Sequence, residues 1–296
     1  MNKTIQLHVK KPGLQTTIQD VGRKGFEAFG IPTSGVMDDQ SYQLANWLVG
    51  NPLDSPVLEI TMLGPQIEFS DDAQIVLTGA NFFPRIDDLP ISMYETMNIE
   101  KGKTLSFRGG QYGCRTYLAV RGIWQIEKRL GSCSTMRFDE RLKKGDVITI
   151  KKQDSIIEKK INTDSFPTEN HPTVFRVLTG PEFSFFSKIH IAEFFSKTFI
   201  ISNDSNRMGY KLNFQLSNLQ QFTELISSGI ITGTIQITSA GQPIVLMKDA
   251  QTTGGYPRIA NVIKADLDKL GQRRPCLLYT SPSPRDQRGS RMPSSA

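Results

Sequence analysis

Cysteine and histidine are both scarce in this 296-residue chain, at three each. Cys114, Cys133 and Cys276 form no CxxC pair, so neither a disulfide framework nor a structural zinc site is indicated. His8, His171 and His190 are scattered, and no metal ligand set is expected. Long apolar runs are missing too, and none approaches the roughly 20 residues that span a bilayer. The N-terminus has no signal-like apolar core, because Ile5 and Leu7 give way at once to His8, Lys10 and Lys11. A cytoplasmic protein without a membrane partner is expected. The GxxxxGK[ST], GxSxG and HExxH patterns do not occur, and RGGQYGCRT lacks the Gly-Lys pair of a phosphate loop. A biotin-attachment segment is also missing. Any ATP or biotin chemistry would therefore draw most of its machinery from another polypeptide.

What is present is β-rich. Hydrophobic residues make up 38% and charged residues 22%, as in ordinary globular proteins, and the length favours two domains. Residues 3–10, VLEITML, IEF, QIVLTG, MNIEKG, TLSFRGG, RTYLAVRG and VITIKK read as short strands divided by turn residues. In VLEITML, Leu58, Ile60 and Met62 alternate against Glu59 and Thr61, the pattern of a half-buried strand. A helix is predicted from an Asp38 cap to Gly50, with Tyr42, Ala45, Leu48 and Val49 on one face. The charged stretch 151–171 with its Asn170-His171-Pro172 break marks the boundary, giving domains 1–160 and 161–275. The second half continues through VFRVLTG, FSKTFIIS, GIITGTIQIT and PIVLM, and Ile259, Val262, Ile263, Leu267 and Leu270 predict a closing helix.

After Pro275 the composition turns abruptly to Ser, Pro and Arg. CLLYTSPSPRD resembles a translated transposon-end sequencing adapter, so residues 276–296 are expected to be a non-native tail outside the fold. The tail also inflates the net charge of +6: without Arg285, Arg288, Arg291 and Asp286, 32 cations face 28 anions. Such a mild, dispersed excess predicts no nucleic-acid partner.

Two polar loops could carry chemistry. In MKDAQTTGGYPRIA, an apolar strand runs into Asp249, Gln251, Thr252, Thr253, Gly254, Gly255, Tyr256 and Arg258. The paired glycines let backbone approach a ligand, and amides at a following helix would favour an oxygen anion. The same loop also fits a hydrogen-bonded turn that caps its helix. The second concentration holds Asp20, Arg23, Ser34 and Asp38, where a surface ion pair and a plain cap are the bland readings. Arg207, in the turn NDSNRMGY, is the one member there suited to an anion.

These segments also carry a family resemblance. PGLQTTIQDVGRKG, GIPTSGVMD, ANWLVGN, LEITMLGP, YLAVRG and LGSCST, then NRMGYKL, GTIQIT, DAQTTGGYPRIA and VIKADL, resemble the carboxyltransferase family typified by the C subunit of 5-oxoprolinase. The resemblance runs in unbroken order over about residues 5–275. It implies two cyclophilin-like β-barrel domains in a mainly β protein with a few helices. It also implies membership of an ATP-dependent 5-oxoprolinase complex that converts 5-oxo-L-proline to L-glutamate, with the A and B subunits as partners and no activity when alone. Family members also include the carboxyltransferase region of urea carboxylase and an antagonist of a sporulation-kinase inhibitor. A biotin-dependent carboxyltransferase acting on urea or a similar amide is therefore an alternative, as is a non-enzymatic regulator binding a histidine-kinase inhibitor. The separate chain, with no biotin carrier, favours the 5-oxoprolinase. In that reading Arg258, Asp249 and Asp20 are the catalytic candidates. Arg23, Ser34, Arg207 and residues 251–256 are expected to bind substrate.

Overall fold

A computed structural model describes residues 3–110, 112–136, 140–153, 155–162, 174–217, 225–275 and the backbone of 278–280. Two compact units emerge, Met1–Phe26 with Thr33–Asn170, and Glu27–Pro32 with His171–Ala296. The boundary thus falls after Asn170 rather than at 160. Local bonding gives the reason, because residues 155–161 are stitched onto the first unit. Ile157 N donates to Gln74 Oε1 (3.0 Å), Arg121 Nε to the Ser155 carbonyl (2.6 Å) and Ile161 N to the Tyr94 carbonyl (3.1 Å). The Lys159 ammonium lies 4.2 Å above the Trp47 ring.

The first unit contains β1 (Thr4–Lys11), β2 (Gln15–Gln19), α1 (Asp39–Val49), β3 (Val57–Thr61), β4 (Gln66–Phe69), β5 (Ala73–Gly79), β6 (Pro84–Ile86), β7 (Leu89–Pro90), β8 (Met97–Ile99), β9 (Thr104–Phe107), β10 (Arg115–Val120), β11 (Ile123–Trp124) and β12 (Val147–Lys151). They pair antiparallel in a seven-stranded sheet, β11-β12-β1-β4-β9-β6-β7, and a five-stranded sheet, β2-β3-β10-β5-β8. Strict alternation in β1 buries Ile5, Leu7 and Val9, and a two-residue period sends those side chains to one face. They join Leu58, Ile60, Ile75, Leu77, Leu118 and Val120 in one core fed by both sheets. The other face of the five-stranded sheet meets α1, where Tyr42, Ala45, Leu48 and Val49 pack on Val57, Val76, Tyr117 and Ala119. The cap residues act as their types require: Asp38 accepts from Ser41 N, and Gly50 ends the helix at φ 75°.

This layering corrects one reading of the sequence. Covered on both faces, all five residues of β3 are buried, Glu59 included. Alternation implied a solvated face because the helix layer that covers it lies elsewhere in the chain.

The second unit contains β13 (Val177–Thr179), α2 (Lys188–Ser196), β14 (Thr198–Ile200), β15 (Gly209–Lys211), β16 (Ser228–Gly229), β17 (Thr234–Ile237), β18 (Pro243–Leu246), β19 (Thr253–Gly254), β20 (Arg258–Val262), α3 (Lys264–Gly271) and β21 (Leu278–Thr280). Its main sheet is ordered β13-β20-β17-β18-β15. Helix α2 had no counterpart in the sequence reading. Its Phe194 meets Phe195 and Phe199 at centroid distances of 5.1 and 5.0 Å, in edge-on and tilted geometry favourable for aromatic rings.

Two expectations change here. Ile259 and Val262 lie in strand β20, and only the residues from Lys264 onward form a helix. In addition, Leu278–Thr280 pairs antiparallel with β14, Ile200 opposite Leu278, so three residues of the expected tail pair with the fold. Leu, Tyr and Thr suit a strand, and β14 offers them an edge. The mainly β class holds, with three α-helices among the described residues. Also among the described residues, no helix is long and apolar enough to cross a membrane.

Candidate functional site

In the first unit, the polar residues gather at the end of β2. The Asp20 carboxylate, 3% exposed, accepts four hydrogen bonds. Oδ1 takes Gly22 N (2.9 Å), Ser132 Oγ (2.5 Å) and Ser134 Oγ (2.7 Å), and Oδ2 takes Cys133 N (2.6 Å). Four donors come close to filling a carboxylate's lone-pair positions. Arg23 is buried beside it, donating from Nη2 to the Ser134 carbonyl and from its main-chain N to Thr33 O. Gly22 and Gly35 let two backbone segments cross: a Cβ on Gly22 would sit 2.4 Å from Thr33 O, and one on Gly35 3.0 Å from Asp20 O. Val36 N reaches the Asp20 carbonyl at 3.1 Å. The structure thus brings Asp20, Arg23 and Ser34 together.

Beneath this loop lies a buried network that sequence reasoning missed. Glu59 Oε2 accepts from Met37 N (2.8 Å) and Tyr117 Oη (3.0 Å), and Arg115 Nε lies 3.4 Å from Oε1. Tyr117 Oη in turn accepts from Asp38 N at 2.9 Å. Burial, then the neighbouring Glu59 charge, holds the Tyr117 phenol well above its usual range, so it remains a donor. Tyr42 is raised likewise, by burial first and then by the Asp20 charge. The Cys133 thiol is pushed up by burial and by Asp20, which disfavours the nucleophilic thiolate. Ser132 and Ser134 were legible only as part of LGSCST, with no cue that they clasp a carboxylate more than 110 residues earlier in the chain.

In the second unit, ion pairs bracket the 249–258 loop. Arg207 grips Asp249 through Nε–Oδ2 (2.7 Å) and Nη2–Oδ1 (3.0 Å), and Asp249 N returns a bond to the Arg207 carbonyl (2.9 Å). Two predicted site residues are therefore partners, and Arg207, at 5% side-chain exposure, binds the chain's own carboxylate. Arg258 is held by Glu182, with Nε 2.7 Å from Oε2 and Nη2 on Oε1, and its Nη1 donates to Gly229 O (2.8 Å). Between the pairs, β19 lies on β16 with Gly254 opposite Ser228, and Ile230 N donates to Thr252 O (3.0 Å). Gln251, Thr253 and Tyr256 face outward, with Thr252, Gly254 and Gly255 half-buried. A strand follows this loop, so no helix amides are available to an anion there. Glu182, just after Pro181, gave no signal in the sequence that it would meet a residue 76 positions on.

The Glu182 pair carries a pH signature. Hydrogen bonds from Arg258, against an opposing burial effect, hold its carboxyl below the ordinary 4.5. A depressed folded-state pKa contributes stability that is present above about pH 4.5 and lost as pH falls through the folded value. Denaturant titrations over about pH 3–6 should therefore show a steeper acid loss for the wild type than for Glu182→Gln. Parallel pH curves would contradict this.

Sequence and structure comparisons show what the chain as a whole is similar to. A carboxyltransferase-domain model, covering subdomains A and B, matches residues 29–277. The 5-oxoprolinase C subunit of Escherichia coli (strain K12) is 38% identical over 273 residues, 90% of this chain and 87% of that protein. Urea amidolyase of Saccharomyces cerevisiae is 31% identical across 91% of this chain, which spans only 16% of that protein. The crystal structure of the K. lactis urea amidolyase superposes with a TM-score of 0.85 at 29% identity, over 93% of this chain and 18% of that one. This chain belongs to the carboxyltransferase-domain family with subdomains A and B.

Proposed function

We propose that the chain is the C subunit of an ATP-dependent 5-oxoprolinase, which opens 5-oxo-L-proline to L-glutamate in the cytoplasm together with the A and B subunits. The carrying observation is the 38% identity to a 5-oxoprolinase C subunit, reaching over 90% of this chain and 87% of that protein. A five-membered lactam is resonance-stabilised and resists water. ATP, bound through the partner subunits, would pass its γ-phosphoryl group to the amide oxygen and leave as ADP; water would then add to that carbon, phosphate would leave and the ring C–N bond would break to give glutamate. This chain's part is to bind and orient. Residues 251–256 offer hydroxyls, an amide and close backbone to the substrate. Arg258 would steady charge developing on oxygen, with Arg207, which already holds Asp249, as a further candidate in the same unit. Asp249, held by Arg207, would orient the substrate or relay a proton. Asp20 serves better as a positioning residue, because its carboxylate already holds four donors of its own chain.

The 31% identity to a urea amidolyase favours a second reading, biotin-dependent carboxyl transfer to urea or a similar amide nitrogen. The two readings separate on substrate. The chain reconstituted with the A and B subunits should form glutamate from 5-oxo-L-proline and ATP. It should not fix labelled bicarbonate onto urea when given a biotinylated carrier. Urea-dependent fixation without glutamate formation would reverse the choice.

A further inference from the structure

Four loops of the first unit are stitched into one surface. Leu14 N donates to Leu63 O (3.0 Å), Met62 N to Cys114 O (3.0 Å), Ala80 N to Arg115 O (2.8 Å) and Arg108 N to Phe82 O (3.1 Å). Close packing seals the joins: a Cβ on Gly64 would lie 2.3 Å from the Phe107 ring, and one on Gly110 2.3 Å from Asn81 O. On these loops Leu14, Leu63, Phe83 and Tyr112 are 54%, 53%, 51% and 42% exposed. Single exposed apolar residues are ordinary, but four on adjoining loops form the kind of patch that marks an interaction site. Phe83 adds a second observation. Its backbone has φ 50°, in the left-handed region that a bulky residue seldom adopts. Its neighbours enforce this, because Phe83 N donates to Asn81 Oδ1 (2.8 Å) and Phe82 and Pro84 are buried on either side. Asn or Gly would suit that backbone better, yet the turn holds an aromatic ring half in water.

Charge points to the occupant. Segments 11–15, 62–66, 80–84 and 107–114 contain Lys11 and Arg108, both exposed, and no carboxylate. A second copy docked here about a two-fold axis would set these cations against their like, which disfavours self-association. A partner with an apolar centre and carboxylates at its edge would match both the patch and its cations. We propose that these four loops of the first unit form a docking surface for such a partner, the A or B subunit of the enzyme proposed above. The partner's identity rests on that reading, whereas the surface rests on the geometry.

Calorimetric titration of the full chain against the purified A subunit, and separately against B, tests this. Phe83→Asn suits the left-handed backbone, and Leu63→Asp alters an exposed side chain. Both should keep the Tm of the chain within about 3 °C of wild type. Each should weaken the complex by roughly 10-fold or more, as the loss of a central interface contact does. Arg108→Glu should weaken it by roughly 3- to 10-fold and flatten its dependence on salt. Should Phe83→Asn unfold the chain, Arg108→Glu, at an exposed position, decides. Wild-type affinity in the folded variants would overturn the docking surface. Concentration-dependent dimerisation of the isolated chain, abolished by the same substitutions, would make a second copy the occupant and overturn the proposal too. A wild-type chain that binds neither subunit would refute the proposed function, and with it the partner named here.

Discussion

Truncation of Glu59 to alanine is expected to destabilise the chain by about 3–5 kcal/mol, the usual cost of removing one member of a buried ion pair. Glu59 is 1% exposed and Arg115 3% exposed. The carboxylate serves Arg115, the Tyr117 hydroxyl and Met37 N together. Its loss would bury a cation without its carboxylate and leave two donors short of their acceptor, and it would slacken the 34–38 loop that carries Ser34. Urea unfolding of the purified chain reads the effect directly. Replacing both charges, as in Glu59→Leu with Arg115→Met, should recover much of the loss, because apolar pairs of similar volume substitute well for buried ion pairs. A Glu59→Ala chain within about 1 kcal/mol of wild type would mean that the network contributes little.

A second large effect is expected at Arg258. In the assembled enzyme, Arg258→Ala should lower kcat/KM for 5-oxo-L-proline by roughly 10²–10³-fold. Removing one group that stabilises developing oxygen charge typically costs about 2–4 kcal/mol of barrier. The geometry adds a complication, since Arg258 also neutralises Glu182 and fastens Gly229. Truncation would strand the Glu182 carboxylate and could loosen the β16–β19 pairing. The double variant Arg258→Ala with Glu182→Gln resolves the two roles. If Arg258 contacts substrate, the double variant regains stability but not turnover. Recovery of both would reduce Arg258 to a structural partner, and a near-normal rate for the single variant would remove it from the mechanism. Lysine should rescue poorly, because it lacks the fork that grips Glu182 through two nitrogens.

The sequence was most readable where a local rule decides structure. Asp38 and Gly50 bound α1 because each satisfies helix-end groups within a few residues, and the alternation of Ile5, Leu7 and Val9 defines β1 for the same reason. Reading failed where distant chain decides. Glu59 alternates like a solvated residue, yet α1 covers that face. Ile259 and Val262 fit a helical period as well as a strand, and pairing with β17 and β13 selected the strand. At the sites, the loops holding Asp20 and Arg258 were legible from glycine and polar density. Their partners Ser132, Ser134 and Glu182 were not, because a carboxylate's partner across 76 or more residues leaves no periodic trace. The left-handed backbone of Ser34, at φ 54°, was equally hidden, since serine is an ordinary turn residue until its φ and burial are known.

Omission of this chain from a reconstituted 5-oxoprolinase tests the central claim most directly. The A and B subunits, ATP and 5-oxo-L-proline are combined with and without it, and glutamate is measured. The account predicts ATP-dependent glutamate release from the full set, and none from this chain alone or from A and B alone. Equal turnover by A and B without it, or efficient turnover by this chain alone, would contradict the account.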